Sequence, residues 1–288
     1  MNRLLRDIAP LTKLAWDEIE REASRTLKVS LAARRIVDFT GPKGWSLSAV
    51  DTAQAEAKIA EQDGMVRASV RRVQPLIELR RPFEIPRATL DAIDRGARDA
   101  DLDPVVEAAH AIALAEDRIV FHGYPSASVI GIVDGADNAA MPIGENYENF
   151  PALVVTALAR LRDDGVGGPY AIALGTRSYT GLTETTKEGY PILQHIQRLI
   201  EGPLVWAPAL DGAAILSLRG DDFELIVGQD LSLGYLSHDL DKVTLYLEET
   251  LTFRLLSPQA AVPLVYRAAE RTTSRPAGNA PATRRQSR

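Results

Sequence analysis

From residue 220 the chain reads GDDFELIVGQDLSLGY, and Phe223, Leu225, Val227, Leu231, Leu233 and Tyr235 all fall on odd positions. A period of two marks a strand with one buried face. Gly228-Gln229-Asp230 interrupts the pattern without shifting its phase, so either the strand is bent for architecture or Asp230 belongs to a site. Elsewhere the period changes. Thr12 is placed to cap a helix on which Trp16, Ile19, Ala23, Leu27 and Leu31 recur every three or four residues, and Gly41-Pro42 stops regular structure beyond it. Arg34 and Asp38 lie four apart at its far end, but need not face each other if the helix has unwound there. DPVVEAAHAIALAEDRIVFHG predicts a second helix, capped by Asp103, with Pro104 in its first turn and Gly123 closing it. Its surface is apolar nearly all round, with Glu107, His110, Glu116 and Asp117 as exceptions, which marks a buried spine. PALVVTALARLRDDG predicts a third, from Pro151 to Gly165.

Short strands are expected in YAIALG, LVWAPAL, AAILSLRG, the 220–235 segment and VTLYLEETLTFRLLSP. Helices amid many strands, without a strand-helix-strand rhythm, predict an α+β fold. Between residues 51 and 85, QDG at 62–64 signals a tight turn, and MVRASVRRV and LIELRRPFEI read as long arginine-rich strands parted by Pro75. Together they predict an extended hairpin leaving the body. Such a hairpin is unstable alone in water, so it implies a partner surface, most simply a second copy of the chain.

Composition narrows the function. The 288 residues are 45% apolar and 25% charged, as in soluble globular proteins, and contain no cysteine, which excludes disulfides and thiolate metal sites. Arg6, Asp7 and Lys13 break any signal-peptide core, and no stretch has the length of a membrane span, so a cytoplasmic location is expected. The net charge of -6 is uneven: from Arg271 onward the chain holds five arginines and no acid, leaving 28 basic against 39 acidic residues before it, or -11. A nucleic-acid binder would not have this balance. Residues 267–288, rich in Pro, Ser, Thr and Ala, are expected to be a disordered basic tail.

No reaction centre assembles. His110, His122, His195 and His238 lack a second ligand at metal spacing. DGVGGPYAIALG runs from turn to strand, the reverse of a phosphate loop, and no Gly-x-Ser-x-Gly elbow exists. Glu116 and Asp117 are adjacent on a helix and point about 100° apart, poor geometry for a shared site. LTETTKEGYP at 182–191 reads as a mobile solvent-facing loop. A spine helix, an arm needing a neighbour and an exposed polar loop are parts of a self-assembling shell subunit.

APLT at 9–12, GPKGW at 41–45, PLIELRRPF at 75–83, EDRIVFHG at 116–123, GVGGPY at 165–170, DFELIVGQDLSLGY at 222–235 and ETLTFRLL at 249–256 together resemble the encapsulins. These are bacterial nanocompartment shell proteins, also called the linocin-type bacteriocin family. The collinear resemblance covers residues 1–266. It implies an HK97-type phage capsid fold: an N-terminal helix and arm over 1–45, an extended loop over 46–85, a peripheral domain from 86–134 and 226–266, and an axial domain over 135–225. It also implies an icosahedral cage of roughly sixty copies, no catalysis by the shell, and no nucleic-acid or membrane partner.

The resemblance further implies capture of cargo enzymes, such as dye-decolourising peroxidases or ferritin-like proteins, through a C-terminal peptide. Position by position, that groove maps onto Leu27, Leu31, Arg34, Ile36, Asp38 and Leu231. Replacing Arg34 and Asp38 by alanine is then expected to leave assembly intact and reduce captured cargo. A pore for small cations or neutral solutes maps onto Thr183, Glu184, Thr185, Thr186, Lys187, Glu188, Gly189 and Tyr190. Where some relatives stack a flavin on tryptophan this chain has Ala88, so no flavin is expected. Two other readings stay open: a phage or prophage major capsid protein, whose longer N-terminal segment is missing ahead of the helix at residue 13, and an enzyme of the bacteriocin or peptidase type.

Overall fold

The computed structural model describes residues 3–56, 69–187 and 189–266. In chain order it contains α1 (Lys13–Ser30), β1 (Asp38–Thr40), β2 (Ala49–Glu56), β3 (Val70–Pro75), β4 (Ile77–Pro86), α2 (Arg87–Asp94), α3 (Asp103–His122), β5 (Gly123–Tyr124) and β6 (Val129–Ile130). There follow α4 (Ile132–Gly135), β7 (Met141–Ile143), α5 (Phe150–Asp163), β8 (Tyr170–Leu174), α6 (Thr176–Glu184), β9 (Thr186–Lys187), β10 (Tyr190–Pro191) and α7 (Ile192–Ile200). The chain finishes with β11 (Glu201–Trp206), β12 (Ala213–Ser217), β13 (Phe223–Val227), β14 (Ser232–His238), β15 (Lys242–Leu255) and β16 (Ala261–Tyr266). The QDG turn, Glu188 and the basic tail lie outside the described residues.

Two five-stranded sheets organise these elements. In the first, β15 is the central strand. Along one edge it pairs antiparallel with β4, from Lys242 opposite Pro86 to Leu251 opposite Ile77. Along the other edge run β14 and then β13, with β1 parallel to β13 at the margin. The spine helix α3 lies against β4 and β15, and α1 packs on α3. The second sheet has the order β11-β8-β12-β16-β7, with α5, α6 and α7 against it. Tyr170–Leu174 and Ala213–Ala214–Ile215–Leu216 are buried on both faces, which is why they read as unbroken apolar runs.

The segment 220–235 is one sheet edge with an insertion. Val227 stands opposite Leu251 and Ser232 opposite Glu248, so five steps along this edge match three along β15. Two extra residues preserve side-chain parity, and the odd positions stay inward on both sides of the break. The insertion remains bonded: Gly228 N donates to Thr250 O at 2.8 Å, Gln229 N to Thr250 Oγ1 at 2.7 Å, and Thr250 N to Gln229 O at 3.0 Å. Glycine is required at 228, because a Cβ there would lie 2.5 Å from Thr250 Oγ1.

Four expectations change. Asp103 lies inside the first turn of α3; Leu102 holds the cap position with no side-chain bond, and the Asp103 carboxylate instead faces the positive end of the helix. The arm pairs β2 with β3, whereas LIELRRPFEI becomes β4 in the body sheet. Its apolar positions Ile77, Phe83 and Ile85 are buried there. Residues 182–187 and 189–191 are more regular than a loop: they finish α6, pair β9 with β10 and lead into α7. Helices are also more numerous than the sequence pattern suggested. In α7, Ile192, Ile196 and Ile200 bury one face at helical spacing, while α6, TRSYTGLTE, is made of weak helix formers that tertiary packing overrides.

Deleting Gln229 alone would turn Leu233 and Tyr235 to the opposite face. Soluble expression of that deletion is expected to fail, whereas Gln229→Ala, which loses only side-chain bonds, is expected to remain soluble; comparing the soluble fractions of the two checks the parity argument.

Candidate functional site

The end of α1 is where the chain brings most of its buried charge together. Ser30 ends the helix, and a short turn at Ala33–Arg35 redirects the backbone towards β1. That turn is held by α3: the Asp117 carboxylate accepts from Ala32 N at 3.1 Å and Ala33 N at 2.9 Å. Arg34 is thereby aimed between the spine and the sheet. Its Nε donates to Glu116 Oε1 and Oε2 at 2.9 and 3.0 Å, its Nη2 to Glu116 Oε2 at 2.8 Å and to Glu249, and its Nη1 to Asp230 Oδ1 at 2.8 Å. The Glu116 and Glu249 side chains are fully buried, and Asp230 is 42% exposed. Asp230 also accepts from Leu231 N at 2.8 Å, so the insertion in the sheet edge presents this carboxylate to Arg34.

One guanidinium, shared with Asp230 at the surface, cannot neutralise two fully buried carboxylates, which favours retention of a proton between them. Burial, followed by the neighbouring charge of Glu116, pushes Glu249 well above the usual carboxylate range. Among the described residues no hydrogen-bond partner reaches Glu249 Oε2. Burial also pushes Asp117 up to about 7, outweighing its two backbone hydrogen bonds. For Arg34 the burial penalty is overcome by the hydrogen bond and charge of Glu116, with Glu249 and Asp230 adding to it, and the guanidinium stays charged.

Around this charged knot the mapped groove residues divide. Leu27 and Leu231 line one groove of about 240 Å³ together with Leu4, Ala23, Leu233 and Leu247, rimmed by the Arg6–Glu20 ion pair. Leu31 packs, partly buried, on the core cluster beside it. Ile36 is only 2% exposed and belongs to the other core cluster, so it supports the surface from beneath and cannot touch a peptide. Asp38 is exposed on β1, and its Oδ2 accepts from Asp221 N at 2.7 Å, at a separate depression of about 100 Å³. Arg34 and Asp38 therefore do not meet. Phe39, which the sequence reading passed over, is 39% exposed and lies with its ring 5.0 Å from the Arg34 guanidinium carbon.

At the second mapped site Thr183, Glu184, Thr186, Lys187, Gly189 and Tyr190 are exposed around the β9–β10 hairpin. Thr185 is half-buried and donates its hydroxyl to Gly181 O at 2.6 Å. Ala88 is exposed in the first turn of α2. Among the described residues no cluster of His, Asp and Glu could hold a metal, and no helix is long and apolar enough to cross a membrane.

A spine helix crossing a long-stranded sheet, a projecting two-stranded arm and a second mixed sheet define a capsid-type shell protein. The fold is shared with a virus-like particle from Pyrococcus furiosus at a TM-score of 0.62 and 15% identity, covering 86% of this chain and 98% of the other. The capsid of the Myoviridae phage XM1 matches at a TM-score of 0.51 and 11% identity, over 80% of this chain and 89% of its own. At the level of sequence, residues 1–252 match the family described as encapsulating protein for peroxidase. The type 1 encapsulin shell protein of Rhodospirillum rubrum is 54% identical over 270 residues, covering 92% of this chain and 96% of the relative. The chain belongs to the encapsulin shell family.

Arg34→Ala would leave Glu116 and Glu249 buried without their cation. The expected cost is about 3–5 kcal/mol, against less than about 1 kcal/mol for removing the surface Lys13–Asp17 pair. A large fall in the thermal midpoint for Arg34→Ala and a small one for Lys13→Ala checks this.

A pH dependence follows from Asp117. The folded chain keeps this proton up to about pH 7, whereas the ordinary value is 3.8, so the folded state binds more protons in between. Stability contributed by this group therefore falls as pH rises through that window. Asp117→Asn, which forfeits one backbone acceptor, is expected to lower the thermal midpoint at pH 5 and to flatten its decline between pH 5 and 8.

Proposed function

We propose that this chain is the self-assembling shell subunit of a cytoplasmic encapsulin compartment, closing into an icosahedral cage of roughly sixty copies, and that it leaves catalysis to enclosed cargo. Family membership across residues 1–252 carries the reading. The arm supports it: β2 and β3 pair with each other, and β3 exposes Val70 and Val73. Two strands with exposed valines need a neighbouring surface, and a second subunit supplies one in every copy of a symmetric shell. In this proposal the extended loop spans residues 46–85, with β2 and β3 projecting as the arm and β4 returning through the body sheet. Residues 1–45 form the N-terminal helix and arm, residues 86–134 and 226–266 the peripheral domain, with the groove between the two, and residues 135–225 the axial domain.

The cargo peptide would lie as an extended segment over Leu27, Leu31 and Leu231, with apolar side chains filling the groove. Asp230, Phe39 and the rim of Arg34 would border it, with Ile36 beneath and Asp38 at the far margin. Cargo of the peroxidase class fits the family's description, and a ferritin-like protein would use the same mode of capture. The hairpin residues Thr183 to Tyr190 would line a pore at the shell's vertices. The matched relative is named as a shell protein, and the groove, lacking a nucleophile with a positioned base, suits binding rather than turnover.

Two measurements test this. Electron micrographs of the purified protein are expected to show closed hollow particles, and a protein that stayed a small oligomer would end the reading. Leu231→Asp combined with Phe39→Ala is expected to leave particles intact while cutting co-purification of native cargo at least tenfold. Intact particles with unchanged loading would place the groove elsewhere.

A further inference from the structure

Beside the β9–β10 hairpin is a cavity of about 450 Å³ bounded by α5, β10 and the first turns of α7. Lys187, His195 and Arg198 all line it, and among the described residues no acid does. None of the three forms a hydrogen bond or ion pair among the described residues, although the chain as a whole carries -6. Several arginines elsewhere meet a carboxylate, among them Arg3, Arg6, Arg34, Arg80, Arg219 and Arg254. Lys187 and Arg198 thus bring two unpaired cations, with the imidazole of His195, to one hollow.

The backbone adds to the same field. α7 begins after Pro191 with no side-chain cap, and Ile192 N already donates to Thr185 O at 3.2 Å. The amides of Leu193 and Gln194, next in the first turn, have no acceptor within the helix. An uncapped helix start of this kind favours negative charge, and here it opens beside the Lys187 and Arg198 side chains, which supply counter-charge. His195 and Arg198 are three residues apart, hence on one face of α7. The walls also have an apolar part: Tyr190, 76% exposed, stands at the rim with Pro151 and Ile192. The volume lies within the range of small-ligand sites.

We propose that this cavity binds a small phosphate-bearing solute, the phosphates meeting Lys187, Arg198 and the start of α7 while Tyr190 stacks on a planar ring. A nucleoside diphosphate uses both halves of the site, and pyrophosphate uses only the charged half. Arg198 suits the phosphates because its planar fork can donate two parallel bonds, and Lys187 acts as a point charge. The site is independent of the groove at Leu27 and Leu231, and of whether the hairpin lines a pore.

Calorimetric titration of the assembled, full-length protein tests this with three probes: adenosine diphosphate, pyrophosphate and adenosine. The diphosphate and pyrophosphate are expected to bind, with adenosine at least tenfold weaker than the diphosphate. Lys187→Gln with Arg198→Gln is expected to weaken pyrophosphate binding at least tenfold, and Tyr190→Ala to weaken the diphosphate while sparing pyrophosphate. Absence of pyrophosphate binding at millimolar concentration would overturn the proposal, as would equal affinity in the double variant. Should the double variant fail to assemble, competition of pyrophosphate by rising chloride on the unmodified protein decides instead, with insensitivity to salt counting against the site.

Discussion

A single buried cation fixes how the two halves of this subunit meet. The interior is divided into two apolar clusters, one including Ile112, Leu245 and Leu233, the other including Phe121, Leu225 and Phe253. Along α3 the change from one to the other falls at Glu116 and Asp117, and along β15 at Glu248 and Glu249. Four acids at that level would oppose collapse if left alone. Arg34 and the backbone amides of Ala32 and Ala33 compensate α3 and Glu249, while Arg3, Arg80 and Gln229 converge on Glu248. Apolar contacts can slide with little penalty, but a guanidinium meeting carboxylates on three elements cannot. The knot therefore sets register between helix, spine and sheet, a use of buried charge distinct from raw stabilisation.

Function inherits this precision. Asp230 reaches Arg34 only because the sheet edge carries a two-residue insertion, and the same insertion places Leu231 beside Leu27 in the groove. The surface proposed to receive cargo is thus built on the outer face of the fold's most constrained point. A recognition surface supported in this way is preorganised, so little ordering entropy needs to be lost when an extended peptide arrives.

Much of this was readable from residues alone, for physical reasons that differ by element. α1 and α3 were legible because a long apolar stripe at helical spacing has few alternatives, and Thr12 does cap α1 through a bond to Ala15 N. The parity of 220–235 was visible because an even insertion leaves a trace that an odd one would erase. By contrast, the role of Glu116 and Asp117 was missed: adjacent acids point apart, and the expectation asked whether they shared one site rather than whether each met a different partner. The signal was available, since two acids on an otherwise apolar helix require buried partners, and Glu248-Glu249 within VTLYLEETLTF made the matching demand on a strand. Positions carried over from resemblance fared unevenly for a similar reason. Leu27 and Leu231 face outward, but Ile36 lies beneath the surface, and which way a residue faces after a helix has ended cannot be read from spacing.

The position of the last strands has a consequence for biosynthesis. β15 is the middle of one sheet, and β16 lies inside the other between β12 and β7. Neither layer can close while residues 242–266 are still within the ribosome, however long the earlier helices have been available. Chains still being translated are thus held back from premature tiling until both of these strands have emerged.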